Sequence, residues 1–313
     1  MSAKFVNVVG YFGKLPGFND FVKFNAGGEE LLVLDKWLQD GLLSAKMKLK
    51  SEWVNYYRSS EQFFFFYPFT GTKRALAGLL IPGLDKSGRE FPFIIFFYIN
   101  KDQLINVPSH LIPMILIDIL SEFKAVIIDI ASITDLSIIN ERLNKISYNI
   151  NNLNYKNNIY QNYLSNTSQA AFWNRIIEGY DDSAKLLFLN NLFISAMESK
   201  EKVVPVIISF ISDNDHYIND LSFFIHLTLT FQKTPYLIPA VFWTGSENKN
   251  HLLFFYPNKP LPNNFIDLIY KRTDENLFVN NTERQNINST VNSFKNLLNK
   301  NWTLKEFLRS FNY

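Results

Sequence analysis

Between Glu29 and Leu49 the apolar residues Leu31, Leu34, Leu38, Leu42, Ala45 and Leu49 recur every three or four positions, which predicts a helix with one buried face. Gly27 and Gly28 precede it, and Glu29, Glu30 and Asp35 lie near its start, where negative charge favours unpaired amides. Other segments are too short or too aromatic for that period. Phe5 to Phe12 and Gln62 to Phe69 read as strands, and four consecutive phenylalanines, Phe63 to Phe66, require burial on both faces of a central strand. Arg74 to Ile81 and Phe91 to Ile99 predict two further strands joined by a long hairpin loop. A short helix is expected over Glu52 to Tyr57, and longer ones over Leu111 to Phe123 and Leu136 to Tyr148, with Pro113 in a first turn.

The polar stretch Asn149 to Asn166 interrupts this pattern and is placed as a junction. Beyond it, helices over Ala184 to Met197 and Tyr217 to Phe231 alternate with strands over Val203 to Ile211, Leu237 to Trp243 and Leu252 to Tyr256. Ile287, Val291, Phe294 and Leu298 fall at helical spacing, and Thr303 with Glu306 has the spacing of a capping box. The fold class predicted is α+β, a mainly antiparallel sheet flanked by helices with a second α/β segment. The domains expected are residues 1–135 and a part over 136–313 that ends in docked helices.

Composition narrows the function classes. At 313 residues the prior is two domains, and 47% hydrophobic content with 30 Phe excludes a disordered chain. A net charge of +2 is too small a field to steer nucleic acid, so no nucleic-acid partner is expected. Cys is absent, which removes disulfides, thiolate metal sites and thiol nucleophiles and fits a reducing compartment. The N-terminal residues lack a signal-peptide layout, and no apolar run reaches the ~18 residues that span a bilayer. A cytoplasmic location without membrane insertion is the expectation.

Motifs for catalysis are weak. Gly10-Tyr11-Phe12-Gly13-Lys14 looks superficially like a phosphate loop, but two residues separate its glycines and Leu15 follows the lysine. Asp213, Asp215, His216 and Asp220 could form a calcium loop only with a Gly where Ile218 stands, so a polar helix cap is favoured. His226, among Phe224, Ile225 and Leu227, reads as a core or boundary histidine, and Trp37 and Trp53 read as core. No Gly-x-Ser-x-Gly elbow occurs, and no cofactor or metal site is expected.

Two polar segments stand outside the hydrophobic code: Gly13-Lys14-Leu15-Pro16-Gly17-Phe18-Asn19-Asp20-Phe21-Val22, and Ile81-Pro82-Gly83-Leu84-Asp85-Lys86-Ser87-Gly88-Arg89-Glu90-Phe91-Pro92-Phe93. Together with Leu34 to Leu42 they resemble the TagF (ImpM-like) family of type VI secretion-associated proteins. The resemblance is strong from about Val9 to Phe97 and thinner at Phe242-Trp243-Thr244-Gly245 and Pro260-Leu261-Pro262. Asn19 departs from a usual Gly, Gly83 from a common Ser, and Lys259-Pro260 from a Gly. The resemblance implies a non-enzymatic, cytoplasmic repressor or assembly-control adaptor linked to the forkhead-associated scaffold protein Fha. Its motif positions are Gly13, Pro16, Phe21, Pro82, Gly88, Phe91, Pro92 and Trp243.

Lys14, Asp20, Asp85 and Arg89 are charged residues in Gly- and Pro-bordered loops, where recognition usually resides. Two readings stand open for them. The loops converge as a partner-binding surface, or an internal ion pair such as Asp20 with Arg89 pins them together. The rival functions are a structural subunit of the secretion baseplate and, further off, a hydrolase or nucleotide-binding enzyme using these four residues.

Overall fold

Four consecutive phenylalanines decide where the sheet lies. The structure is a computed structural model that describes residues 8–128, 130–146, 152–177, 181–245, 250–270, 278–279 and 288–311. Its strands are β1 (Val9–Gly13), β2 (Val22–Phe24), β3 (Phe63–Tyr67), β4 (Arg74–Ile81), β5 (Phe93–Asn100), β6 (Val206–Ile211), β7 (Ala240–Thr244), β8 (Asn250–Tyr256) and β9 (Phe278–Val279). They form one nine-stranded sheet in the order β2-β1-β5-β4-β3-β7-β8-β6-β9, and every neighbouring pair is antiparallel. β3 sits at the centre, as its sequence requires. Phe63, Phe65 and Tyr67 pack on one face while Phe64 and Phe66 pack on the other. Each buried Phe contributes roughly 1.5–3 kcal/mol, a gain that an exposed edge position would forfeit.

Helices cover both faces unequally. One face carries α1 (Glu29–Leu49), α2 (Trp53–Arg58) and, far along the chain, α9 (Asn264–Ile269). α1 buries Leu31, Leu34, Trp37, Leu38, Leu42 and Ala45, the stripe its periodicity predicts. The other face carries the larger core, built by α3 (Ile112–Ile127), α4 (Leu136–Asn144), α5 (Leu153–Asn166), α6 (Gln169–Ile176), α7 (Asp182–Glu201), α8 (Tyr217–Gln232), α10 (Asn288–Leu298) and α11 (Leu304–Arg309). The two sequence halves meet inside the sheet, where Phe64 of β3 stands opposite Trp243 of β7.

Several expectations shift. Val22–Phe24, for which no strand is predicted, pairs with β1 as an edge strand of three residues. The polar junction is largely the helix α5, because Tyr160, Tyr163 and Leu164 share one buried face and phenol rings count as apolar there. β1 begins at Val9, and the Phe5 to Asn7 part of its predicted strand lies outside the described residues, as do Ile287 and the predicted helical end beyond Ile146. α11 starts with the predicted capping box, Thr303 and Glu306 satisfying each other's amides. No helix among the described residues is long and apolar enough to cross a membrane.

Candidate functional site

β1 and β5 are antiparallel neighbours, with Phe12 opposite Ile94, so the loop leaving β1 and the loop entering β5 must emerge at the same end of the sheet. β4, whose Ile81 faces Phe93, delivers the start of the second loop to the same place. The two segments singled out in the sequence therefore converge. They are also sewn together by backbone contacts: the Lys86 amide donates to the Phe18 carbonyl at 2.8 Å, and Arg89 Nη2 donates to the Asn19 carbonyl at 2.7 Å.

The glycines allow this approach. A Cβ on Gly13 would stand 2.1 Å from the Pro92 carbonyl oxygen, and one on Gly83 would stand 2.5 Å from the carbonyl oxygens of Lys14 and Phe91. A serine at 83 would thus force the loops apart, which is a physical reason for the departure from Ser seen in the sequence. The Tyr57 hydroxyl reaches across from α2 to the same residue. It accepts from the Gly83 amide at 2.9 Å and donates to the Gly83 carbonyl at 3.0 Å, while burial pushes its pKa far above the ordinary phenol value.

Asp85 is the hub. Fully buried, it accepts at Oδ2 from Lys14 Nζ (3.0 Å) and Arg89 Nε (2.7 Å), and at Oδ1 from the Ser87 amide, the Ser87 hydroxyl and the Arg89 amide. Burial alone would raise its carboxyl pKa. The hydrogen bonds from Ser87, the Arg89 amide and the Lys14 and Arg89 side chains outweigh that and hold it well below the usual carboxylate range. Gly88 closes the turn, its amide donating to the Asp85 carbonyl at 2.8 Å. Lys14 is itself only 7% exposed, and its ammonium lies 5.2 Å from the centre of the Phe21 ring. Phe21 stacks on Phe12 at 5.3 Å and meets Phe91 edge-on at 4.8 Å, yet remains 42% exposed.

The predicted residues divide accordingly. Lys14, Asp85 and Arg89 come together, with Gly13, Pro16, Pro82, Gly88, Phe91 and Pro92 in the loops that hold them. Asp20 does not pair with Arg89: it is exposed, and its carboxylate accepts from the next amide, that of Phe21, at 2.8 Å. Arg89 is claimed instead by Asp85 four residues upstream, a local partner that a turn supplies at no cost in loop closure. Trp243 stands apart, fully buried in β7 beside Phe64 and four strand spacings from β1, about 19 Å.

Sequence reasoning missed a second polar centre. Asp220 of α8, also fully buried, pairs with Arg175 of α6 (Oδ1 to Nη2 2.7 Å, Oδ2 to Nε 3.2 Å) and accepts from the Ser212 hydroxyl at 2.6 Å and from the Tyr163 hydroxyl. The expected helix cap resolves into two parts. Asp213 accepts from the His216 amide and ring, while Asp220 turns inward. Nearby, His226 and His110 stack with ring centres 4.0 Å apart, His226 taking a 3.1 Å contact with the Tyr160 hydroxyl. Burial lowers both imidazoles, His226 to about 4, so they are neutral near pH 7. Ser212 lies 8 residues from Asp220, but Arg175 and Tyr163 lie 45 and 57 residues away, and no local spacing could have announced those two. Among the described residues no group of His, Asp and Glu is arranged to hold a metal ion.

An antiparallel sheet between helices, with paired loops tied at one end, defines an α+β protein with one polar cluster in its first half and another in its second. Residues 10–146 match the family described as the TagF N-terminal domain, Type VI secretion system-associated. The matched stretch spans less than half of the chain, and the association with type VI secretion belongs to that domain's description. The residues similar to that domain include both loops and every candidate position except Trp243. Among solved structures, the crystal structure of PA0076 from Pseudomonas aeruginosa PAO1 aligns at 19% identity with a TM-score of 0.39, over 45% of this chain and 64% of that one. No curated protein matches the chain.

Proposed function

We propose that this protein is an accessory regulator of type VI secretion, a cytoplasmic repressor or assembly-control adaptor that works by binding another component of the apparatus, the forkhead-associated scaffold Fha being the leading candidate. It makes and breaks no bond in this reading. The observation that carries it is the convergence of the two loops into one surface, with Phe21 and the Arg89 guanidinium, whose side chain is 62% exposed, left facing solvent. Rigid loops of that kind are where recognition concentrates. The state of the charged residues supports binding over catalysis. Lys14 and Asp85 satisfy each other inside the protein, so neither is poised as a free base or nucleophile.

Deletion of the gene in a strain with an active apparatus is expected to raise secretion, and the purified chain is expected to capture the scaffold. A fall in secretion on deletion, with the chain co-sedimenting in fixed ratio with the baseplate, would instead identify a structural subunit. Phe21→Ser in a folded chain is expected to lose capture; unchanged capture by that variant would remove the loop surface from the mechanism.

A further inference from the structure

The solvent-facing side of the two loops has a sign. Lys23, two residues beyond Phe21 on the edge strand β2, is exposed and stands opposite Phe12, on which Phe21 stacks. Lys86 is exposed beside Phe18, to whose carbonyl its amide is bonded. Arg89 adds a largely exposed guanidinium, and Arg58, half exposed, stands behind it in a 2.7 Å pair with Glu90. Arg89 and Arg58 have acid partners in Asp85, whose side chain is fully buried, and Glu90, whose side chain is 11% exposed, so those acids are spent within the fold and neither is left for the lysines. Asp20 alone in these loops faces solvent as an acid. Among the described residues, neither Lys23 nor Lys86 takes part in an ion pair. A chain of net charge +2 thus concentrates positive charge around one exposed aromatic ring.

We infer that this surface takes an acidic protein segment bearing an apolar anchor: the anchor sits on Phe21, and carboxylates spaced along the segment meet Lys23, Lys86 and Arg89. The inference rests on the docking role proposed above and specifies its chemistry. An aromatic ring partly seated among neighbours, with the Arg89 guanidinium bonded to the carbonyl two residues upstream, has the composition of a binding hot spot, while the rim lysines set partner sign and association rate. A basic partner would be repelled, and an uncharged one would leave Lys23 and Lys86 without a counter-charge.

The test uses the full chain and a fluorescein-labelled synthetic peptide of Glu and Asp around one central Trp, followed by fluorescence anisotropy. A peptide with Lys in place of the acids is the control. The acidic peptide is expected to bind and the Lys peptide not to bind. Lys23→Glu/Lys86→Glu is expected to weaken binding about tenfold or more, whereas Lys46→Glu/Lys48→Glu, which alters net charge equally on exposed α1 positions, is expected to leave it within about twofold. Neither lysine pair belongs to the Asp85 cluster, so folding is kept and is checked by circular dichroism. Equal weakening by both pairs, or no binding of the acidic peptide, overturns the inference. If the acidic peptide fails while the secretion component is still captured through Phe21, only the acidic chemistry falls. If no loop variant of the folded chain affects that capture, the docking reading falls as well.

Discussion

Two fully buried aspartates, each paired with an arginine and a serine, do opposite work in this molecule. Asp85 gathers donors from its own turn, Ser87 and Arg89, and takes only Lys14 from a distance. Asp220 gathers α5, α6 and the end of β6 onto α8 through Tyr163, Arg175 and Ser212. The arginines differ most: the Arg89 side chain is 62% exposed and that of Arg175 is 19% exposed. The first cluster fixes a shape and leaves its arginine largely exposed to solvent. The second is largely shut away from solvent and ties three helices to the end of β6.

That contrast predicts unequal costs. Asp220→Asn strands Arg175 in a poorly hydrated site, and breaking a buried pair in this way should lower stability by about 3–5 kcal/mol. Asp85→Asn strands the buried Lys14, but Arg89 can turn to water, so the loss should be smaller, about 2–3 kcal/mol. Urea unfolding of both variants, with midpoints compared at constant slope, checks the order. If Asp85→Asn is the more damaging, the loop cluster is the true keystone, and its exposed arginine is incidental.

The next difference is in pH. The folded-state carboxyl of Asp85 is held below the ordinary range, whereas in the unfolded chain it titrates near ~3.9. Its contribution to stability is therefore present above that value and is lost as pH falls through it and below. Asp85→Asn should flatten the wild-type decline in stability between about pH 5 and pH 3, measured by urea midpoints across that window. An unchanged slope in the variant would mean that the turn does not hold the carboxylate as the geometry implies.

Smaller still is the contribution of Tyr57, whose hydroxyl ties α2 to Gly83. Tyr57→Phe leaves the Gly83 amide without that acceptor and should cost about 1–2 kcal/mol by the same measurement. The effect is local to the loop base, so the spacing of the Asp220 network should not change.

How far the sequence could be read follows the same division between local and distant partners. The stripe on α1, the central placement of Phe63 to Phe66 and the capping box at Thr303 were all legible, because each is decided by neighbours a few positions away or by burial that nothing else could supply. The two loops were legible as a unit through the family resemblance, and their convergence follows from an antiparallel β1–β5 pair. Pairing within them was not. Asp20 with Arg89 was one pairing that the sequence left open, and only the turn geometry awards that role to Asp85. The Asp220 network and the edge strand β2 were invisible for one reason: their partners are set by how distant elements stack, and a three-residue strand carries too little alternation to register. Tyr-rich α5 was missed because its buried face is made of residues that also suit a surface.

The finest test of the comparison replaces matched hydroxyls. Ser87 Oγ donates to Asp85 at 2.7 Å and Ser212 Oγ donates to Asp220 at 2.6 Å, so the two bonds are alike in geometry. Their surroundings differ, since Ser87 is exposed and Ser212 is 2% exposed. In Ser212→Ala no water can replace the lost donor, and the carboxylate keeps an unmet lone pair in a closed site; the cost should be about 1.5–2 kcal/mol. In Ser87→Ala, water can reach the vacated position and the two backbone donors to Asp85 remain, so about 0.5 kcal/mol is expected. Because the bond lengths are the same within error, a large gap between the variants would isolate solvent access as its cause. Equal losses would show that the first cluster is as sealed as the second, and that its arginine is held too tightly to greet a partner.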